Sequence, residues 1–142
     1  MIGAPFHFSV PLLPPSVNHY KKPSSRGGWF RTAAAVNFID AVCIYSGKCK
    51  VTGNFYALEL WFFLGPSKRN LSSNDVDNFQ KVAIDALVRA GIIKTDGRIL
   101  DLHLHKRFVG TDREERTEYF IYGRQIDERE VFSKGIVPVA AG

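Results

Sequence analysis

Near the start of the chain, Phe6, Phe8, Val10 and Leu12 alternate with smaller or more polar neighbours, a period of two that predicts a strand. Pro11 places the end of that strand at an edge or a bend. Pro14-Pro15-Ser16 then opens a polar stretch, NHYKKPSSRGG, whose turn residues predict a long loop. From Thr32 the spacing changes. Ala35, Phe38, Val42 and Tyr45, and likewise Val36, Ile39 and Val42, recur at helical intervals, with Thr32 placed to cap the helix and Gly47 to end it. Residues 54–64, NFYALELWFFL, read as a strand that is apolar on both sides: Phe55, Ala57 and Trp61 with Glu59 on one, Tyr56, Leu58, Leu60 and Phe62 on the other. Such a strand is either central and covered twice, or partly buried between subunits. The clearest helical stripe is Phe79, Val82, Ala83, Ala86, Leu87 and Ala90, giving a helix over residues 77–90 closed by Gly91. Strands are predicted at 99–109, where Leu100, Leu102 and Leu104 alternate, and at 117–122, with the charged TDREER between them as a hairpin loop. The order strand–helix–strand–helix–strand–strand, without repeat or linker, predicts a single α+β domain: a mixed β-sheet packed with two main helices. Residues 124–142 show no clean period, so a domain of 1–123 is expected to carry a partly mobile C-terminal extension.

Composition narrows the class. A chain of 142 residues, 45% hydrophobic and 23% charged, has the apolar content for one packed core and is not that of a disordered chain. No apolar run approaches the roughly 18–20 residues that cross a bilayer. The opening MIGAPFHFSVPLLPP lacks the basic n-region of a signal peptide, so a cytoplasmic protein is expected. In that setting Cys43 and Cys49 read as free thiols. His7, His19, His103 and His105 do not fall at zinc-finger spacing, which argues against structural zinc.

The net charge of +5 suits a polyanionic partner, and its distribution says more than its size. Lys21, Lys22, Arg26 and Arg31 crowd the first loop, interleaved with Tyr20, Trp29 and Phe30, while Lys68 and Arg69 precede an acidic cluster. Basic groups alternating with aromatic planes suit a sugar-phosphate backbone with exposed bases, although a solvated basic face has the same composition.

The acidic cluster opens the second predicted helix. Asp75 and Asp77 flank Val76 and share a face if that residue is extended; Lys81 and Asp85 follow Asp77 at intervals of one turn. Asp96 comes after the helix, in Lys94-Thr95-Asp96-Gly97, and returns to the N-terminal end only if residues 92–98 fold back along the helix or if the following strand brings it alongside. Each carboxylate alone has a structural explanation. Asp77 with Gln80 forms a capping-box pair, Asp75 favours a positive helix end, and Asp96-Gly97 is a turn dipeptide. Together, three carboxylates beside a basic loop are the hard oxygen donors that Mg2+ takes, completed by water and substrate phosphate. Lys81 can then offset carboxylate charge or stabilise charge developing on phosphorus.

The run Asp75-Val76-Asp77-Asn78-Phe79-Gln80-Lys81, followed by Asp85-Ala86-Leu87, Ala90-Gly91 and Asp96, resembles the RusA family of Holliday junction resolvases, the crossover junction endodeoxyribonucleases. Pro14-Pro15-Ser16-Val17-Asn18-His19-Tyr20 is similar to that family's segment ahead of its basic loop, so the resemblance spans about residues 6–122. It implies a homodimeric endonuclease that binds four-way DNA junctions and makes paired nicks in recombination and repair. Mg2+ is the implied cofactor, with Mn2+ as a substitute and no small-molecule cofactor besides. On the matching positions it implies metal ligation by Asp75, Asp77 and Asp96, a catalytic role for Lys81, and DNA contacts from Asn18, Tyr20, Lys21, Lys22, Arg26, Arg31, Lys68 and Arg69. Thr95 stands where some members carry a second acidic residue, which leaves Asp101 or Asp85 as further contributors. Two other readings stand beside this one: a less specific branched-DNA or flap nuclease, and a DNA-structure-binding protein whose aspartates only cap and turn.

Overall fold

The computed structural model describes residues 4–16, 21–23, 25, 27, 29–68 and 76–134. Six strands and three α-helices follow in the order β1 (Phe6–Val10), β2 (Lys21–Pro23), β3 (Trp29–Arg31), α1 (Ala33–Ser46), β4 (Phe55–Leu64), α2 (Val76–Arg89), β5 (Ile99–Phe108), β6 (Arg116–Arg124) and α3 (Glu128–Lys134). Four strands form a mixed sheet in the order β1-β6-β4-β5, with β4 parallel to β5 and antiparallel to β6. The fold is the expected α+β domain.

Both long helices pack on one face of this sheet. Tyr56, Leu58, Leu60, Phe62 and Leu64 of β4 point into it, and α1 contributes Ala35, Phe38 and Val42 while α2 contributes Phe79, Val82, Ala83, Ala86 and Leu87. The α1 ends behave as the sequence predicts: the Thr32 hydroxyl accepts from the Ala35 amide at 3.3 Å, and Gly47 takes up a left-handed φ of 66°. Of the two apolar rows on α1, the one through Ala35, Phe38 and Val42 faces the core, whereas Val36 and Tyr45 are exposed. Gly91, with φ of 75°, lets the chain leave α2 and return, so that Ile92 and Ile93 are buried against the same core.

Two expectations need correction. TDREER does not close a hairpin, because β5 and β6 lie on opposite sides of β4. The connection instead arches over the end of β4, where the Val109 amide donates to the Leu64 carbonyl and the Gly65 amide to the Glu115 carboxylate. Alternation along β5 marks a strand but carries no information on its neighbour. The stretch read as a loop also contains β2 and β3, a short antiparallel hairpin in a sheet of its own, in which Lys21 faces Arg31 and Lys22 faces Phe30.

The other face of β4 is neither covered by α1 and α2 nor bare. His105 stacks on Trp61 with ring centroids 3.8 Å apart, and the guanidinium groups of Arg107 and Arg116 lie over Trp61 and Phe63. Ionisable side chains of β5 and β6 thus roof the second apolar side of β4. Beyond β6, the described part of the C-terminal extension is fastened to the domain: Asn54 bonds both the amide and the carbonyl of Ile126, and Glu128 pairs with Arg98.

Candidate active site

Helix α2 carries the acidic stripe because its sequence separates two faces. Phe79, Val82, Ala83, Ala86 and Leu87 are buried, while Asp77 and Lys81 are exposed and Asp85 is half-buried. The buried phenol of Tyr119 donates to the Ala83 carbonyl at 3.0 Å and fixes the helix against β6. The helix opens at Val76, so Asp77 stands inside its first turn. Asp75 lies outside the described residues, as do Asn18, Tyr20, Arg26 and Arg69.

After Gly91 the chain turns, and Ile92 and Ile93 are buried against the core. The Ile92 amide donates to the Leu87 carbonyl at 3.0 Å, and a 3-10 turn, Asp96–Arg98, follows before β5. Thr95 caps this turn, its hydroxyl accepting from the Gly97 amide at 3.3 Å. The turn therefore does not need the Asp96 carboxylate, which is exposed and accepts only a long bond, 3.4 Å, from the Thr95 hydroxyl among the described residues. Asp96 lies within electrostatic reach of Asp85: burial raises the Asp85 pKa, Arg89 opposes the rise, and the negative charge of Asp96 adds to it. Asp85 lies eight residues beyond Asp77, about 12 Å along the axis at the helical rise, so Asp96 joins the stripe at its far end.

The carboxylates differ in their partners. Each Asp85 oxygen lies 3.7 Å from a guanidinium nitrogen, one of Arg31 and one of Arg89. Among the described residues neither Asp77 nor Asp96 pairs with a lysine or arginine, so their oxygens have the hardness and the availability that Mg2+ requires. No group of three acidic, histidine or cysteine side chains converges among the described residues, and the expected set includes Asp75, which is not one of them. Asp101 does not belong here. It is the partner of Ala57 in the sheet register and shares the face turned away from α2.

The cations expected to contact DNA fall into two groups. Lys21 and Lys22 lie in β2 of the hairpin. Arg31 and Lys68 are engaged with carboxylates, Arg31 with Asp85 and Lys68 with Glu115, to which its ammonium donates at 2.8 and 3.0 Å. Glu115 and the Arg31–Asp85 pair escape sequence reading because 47 and 54 residues separate the partners, and nothing but opposite charge links them beforehand.

Helix α2 thus carries Asp77, Lys81 and Asp85 along one polar face, and the β2–β3 hairpin reaches that face through the Arg31–Asp85 ion pair. The family model described as Endodeoxyribonuclease RusA matches residues 45–118, and the chain belongs to that family of DNA endonucleases. The match runs from the end of α1 into β6 and contains β4, α2, Asp96 and β5; the segment at Pro14–Tyr20 lies outside it. No curated protein matches the chain. No described helix is long and apolar enough to cross a membrane.

Proposed function

We propose that the chain is a Mg2+-dependent, structure-specific endonuclease that resolves four-way DNA junctions in recombination and repair, acting in the cytoplasm as a homodimer. What supports this reading is membership of the RusA family, together with a turn after α2 that brings Asp96 within electrostatic reach of Asp85, two turns along the stripe from Asp77. By the family resemblance Asp75, Asp77 and Asp96 would hold the metal, Mn2+ substituting for Mg2+, and the bound ion would supply an acidified water and withdraw charge from the phosphate.

The remaining work belongs to the protein's own groups. Lys81, one turn after Asp77, offsets carboxylate charge before substrate binds and stabilises the extra negative charge of the five-coordinate phosphorus afterwards. Lys21, Lys22, Arg26 and Arg69 hold the sugar-phosphate backbone, with Asn18 and Tyr20 beside them. A four-way junction is resolved when two strands of like polarity are cut, and one domain carries one such stripe. A two-fold dimer presents two stripes in matched orientation to a nearly two-fold substrate.

Cleavage of a mobile four-way junction, a flap and a linear duplex, each with Mg2+ and with chelator, tests the proposal. Paired nicks on the junction alone, lost in chelator, are expected. Equal cutting of the flap identifies a less specific branch nuclease. Tight junction binding without cleavage in Mg2+ or Mn2+ identifies a DNA-structure-binding protein and overturns the proposal.

A further inference from the structure

Arg31 is the last residue of β3 and the neighbour of Thr32, the cap of α1. Its guanidinium reaches across to α2, with Nη2 at 3.7 Å from one Asp85 oxygen, while Arg89 takes the other oxygen from within the helix. The hairpin it belongs to consists of two three-residue strands in a sheet separate from the main one. A two-stranded hairpin of that size has little stability of its own. Directly across the register from Arg31 is Lys21, so whatever fixes the backbone of Arg31 fixes that of Lys21.

We infer that Arg31 and Asp85 lock the β2–β3 hairpin onto the face of α2 that carries Asp77 and Lys81, which makes Asp85 a positioning residue for DNA binding. This rests on the endonuclease reading for its consequence but not for its geometry. An ion pair of this exposure adds little to global stability. It acts on a smaller equilibrium, the hairpin docked against α2 or displaced from it, where a contribution at the upper end of the surface range is a factor of about five in population. A docked hairpin presents Lys21 and Lys22 in fixed relation to the carboxylates, whereas a displaced one offers the same charge without the alignment.

Charge and docking pull in opposite directions here. Asp85→Asn removes a negative charge from a DNA-binding surface, which by long-range electrostatics alone tightens binding. Loss of the lock weakens it. A double-mutant cycle with Arg31→Gln, Asp85→Asn and both together, in the full chain, decides between them. Hydrogen exchange of the β2 and β3 amides in the free protein should rise about fivefold in either single variant and no further in the double. Arg31→Lys, which keeps the pair, should exchange as the wild type does. Junction affinity should fall by a similar factor in both single variants.

Unchanged exchange in Asp85→Asn, or tighter binding, overturns the lock. Loss of the saturating rate in Asp85→Asn with exchange unaltered would place Asp85 among the reacting groups and also overturns it. If the wild type cuts no DNA yet the exchange effects are non-additive, the lock stands and the nuclease reading alone fails.

Discussion

The phenol of Tyr119, wholly buried on β6, donates to the main-chain carbonyl of Ala83 in the middle of α2. This bond connects the central sheet to the helix that bears the candidate site. Burial also raises the Tyr119 pKa well above its ordinary value, so the hydroxyl stays a donor into alkaline solution.

Tyr119→Phe should therefore cost about 1 kcal/mol at neutral pH, the net worth of one buried hydrogen bond. The pH dependence has a definite sign. The unfolded phenol ionises near pH 10 and the folded one later, so the wild type loses stability as pH rises above about 10. Tyr119→Phe lacks this loss, and urea denaturation at pH 7 and above pH 10 should show the two proteins converging.

Glu118 provides the acid counterpart. Burial, its largest single influence, raises its pKa, but bonds from Arg116 at 2.8 Å and from His7 at 3.0 Å outweigh it and leave the carboxyl below its ordinary value. A lowered carboxylate contributes stability above its unfolded pKa and loses it as pH falls through the folded one. Glu118→Gln should thus be less stable than the wild type at pH 7, by about 1 kcal/mol after allowance for solvent screening. The gap should close in acid, below the ordinary glutamate range near 4.3. A gap that persists there would mean the loss is one of packing between β1 and β6.

The salt dependence of DNA binding separates the cations. Lys21→Ala with Lys22→Ala should reduce the slope of log K against log salt by up to about 0.9 for each phosphate that is no longer neutralised. Lys68→Ala should change it less, because its ammonium already bonds Glu115. Equal slopes in all three proteins would reduce the hairpin to a solvated basic face.

Period and punctuation made most of the fold legible. Thr32 and Gly47 marked α1, the Phe79–Leu87 stripe marked α2, and the alternation of Leu100, Leu102 and Leu104 marked β5, whereas β4, apolar on both sides, left open which of its faces enters the core. What alternation cannot carry is partner choice. The chain between Phe108 and Arg116 looked like a hairpin because it is short and charged, yet it spans the end of β4. The site followed the same division. Asp77, Lys81 and Asp85 were placed on one face by helical spacing alone, whereas the return of Asp96 depends on Gly91 and on the burial of Ile92 and Ile93. Asp101 was a plausible contributor by proximity in sequence, and a single register position puts it on the far side of the sheet.

Under the proposed function, Asp77 serves a metal-dependent reaction and not the helix. Asp77→Asn keeps a polar residue in the first turn and leaves the buried face of α2 untouched, so folding and junction binding should survive, and binding should tighten where a carboxylate no longer faces phosphate. The decisive measurement is the single-turnover rate of cleavage of a four-way junction in Mg2+ at saturating enzyme, wild type against Asp77→Asn. Loss of cleavage with junction affinity retained or increased is expected; cleavage by Asp77→Asn at the wild-type rate would assign Asp77 to the helix and not to the reaction.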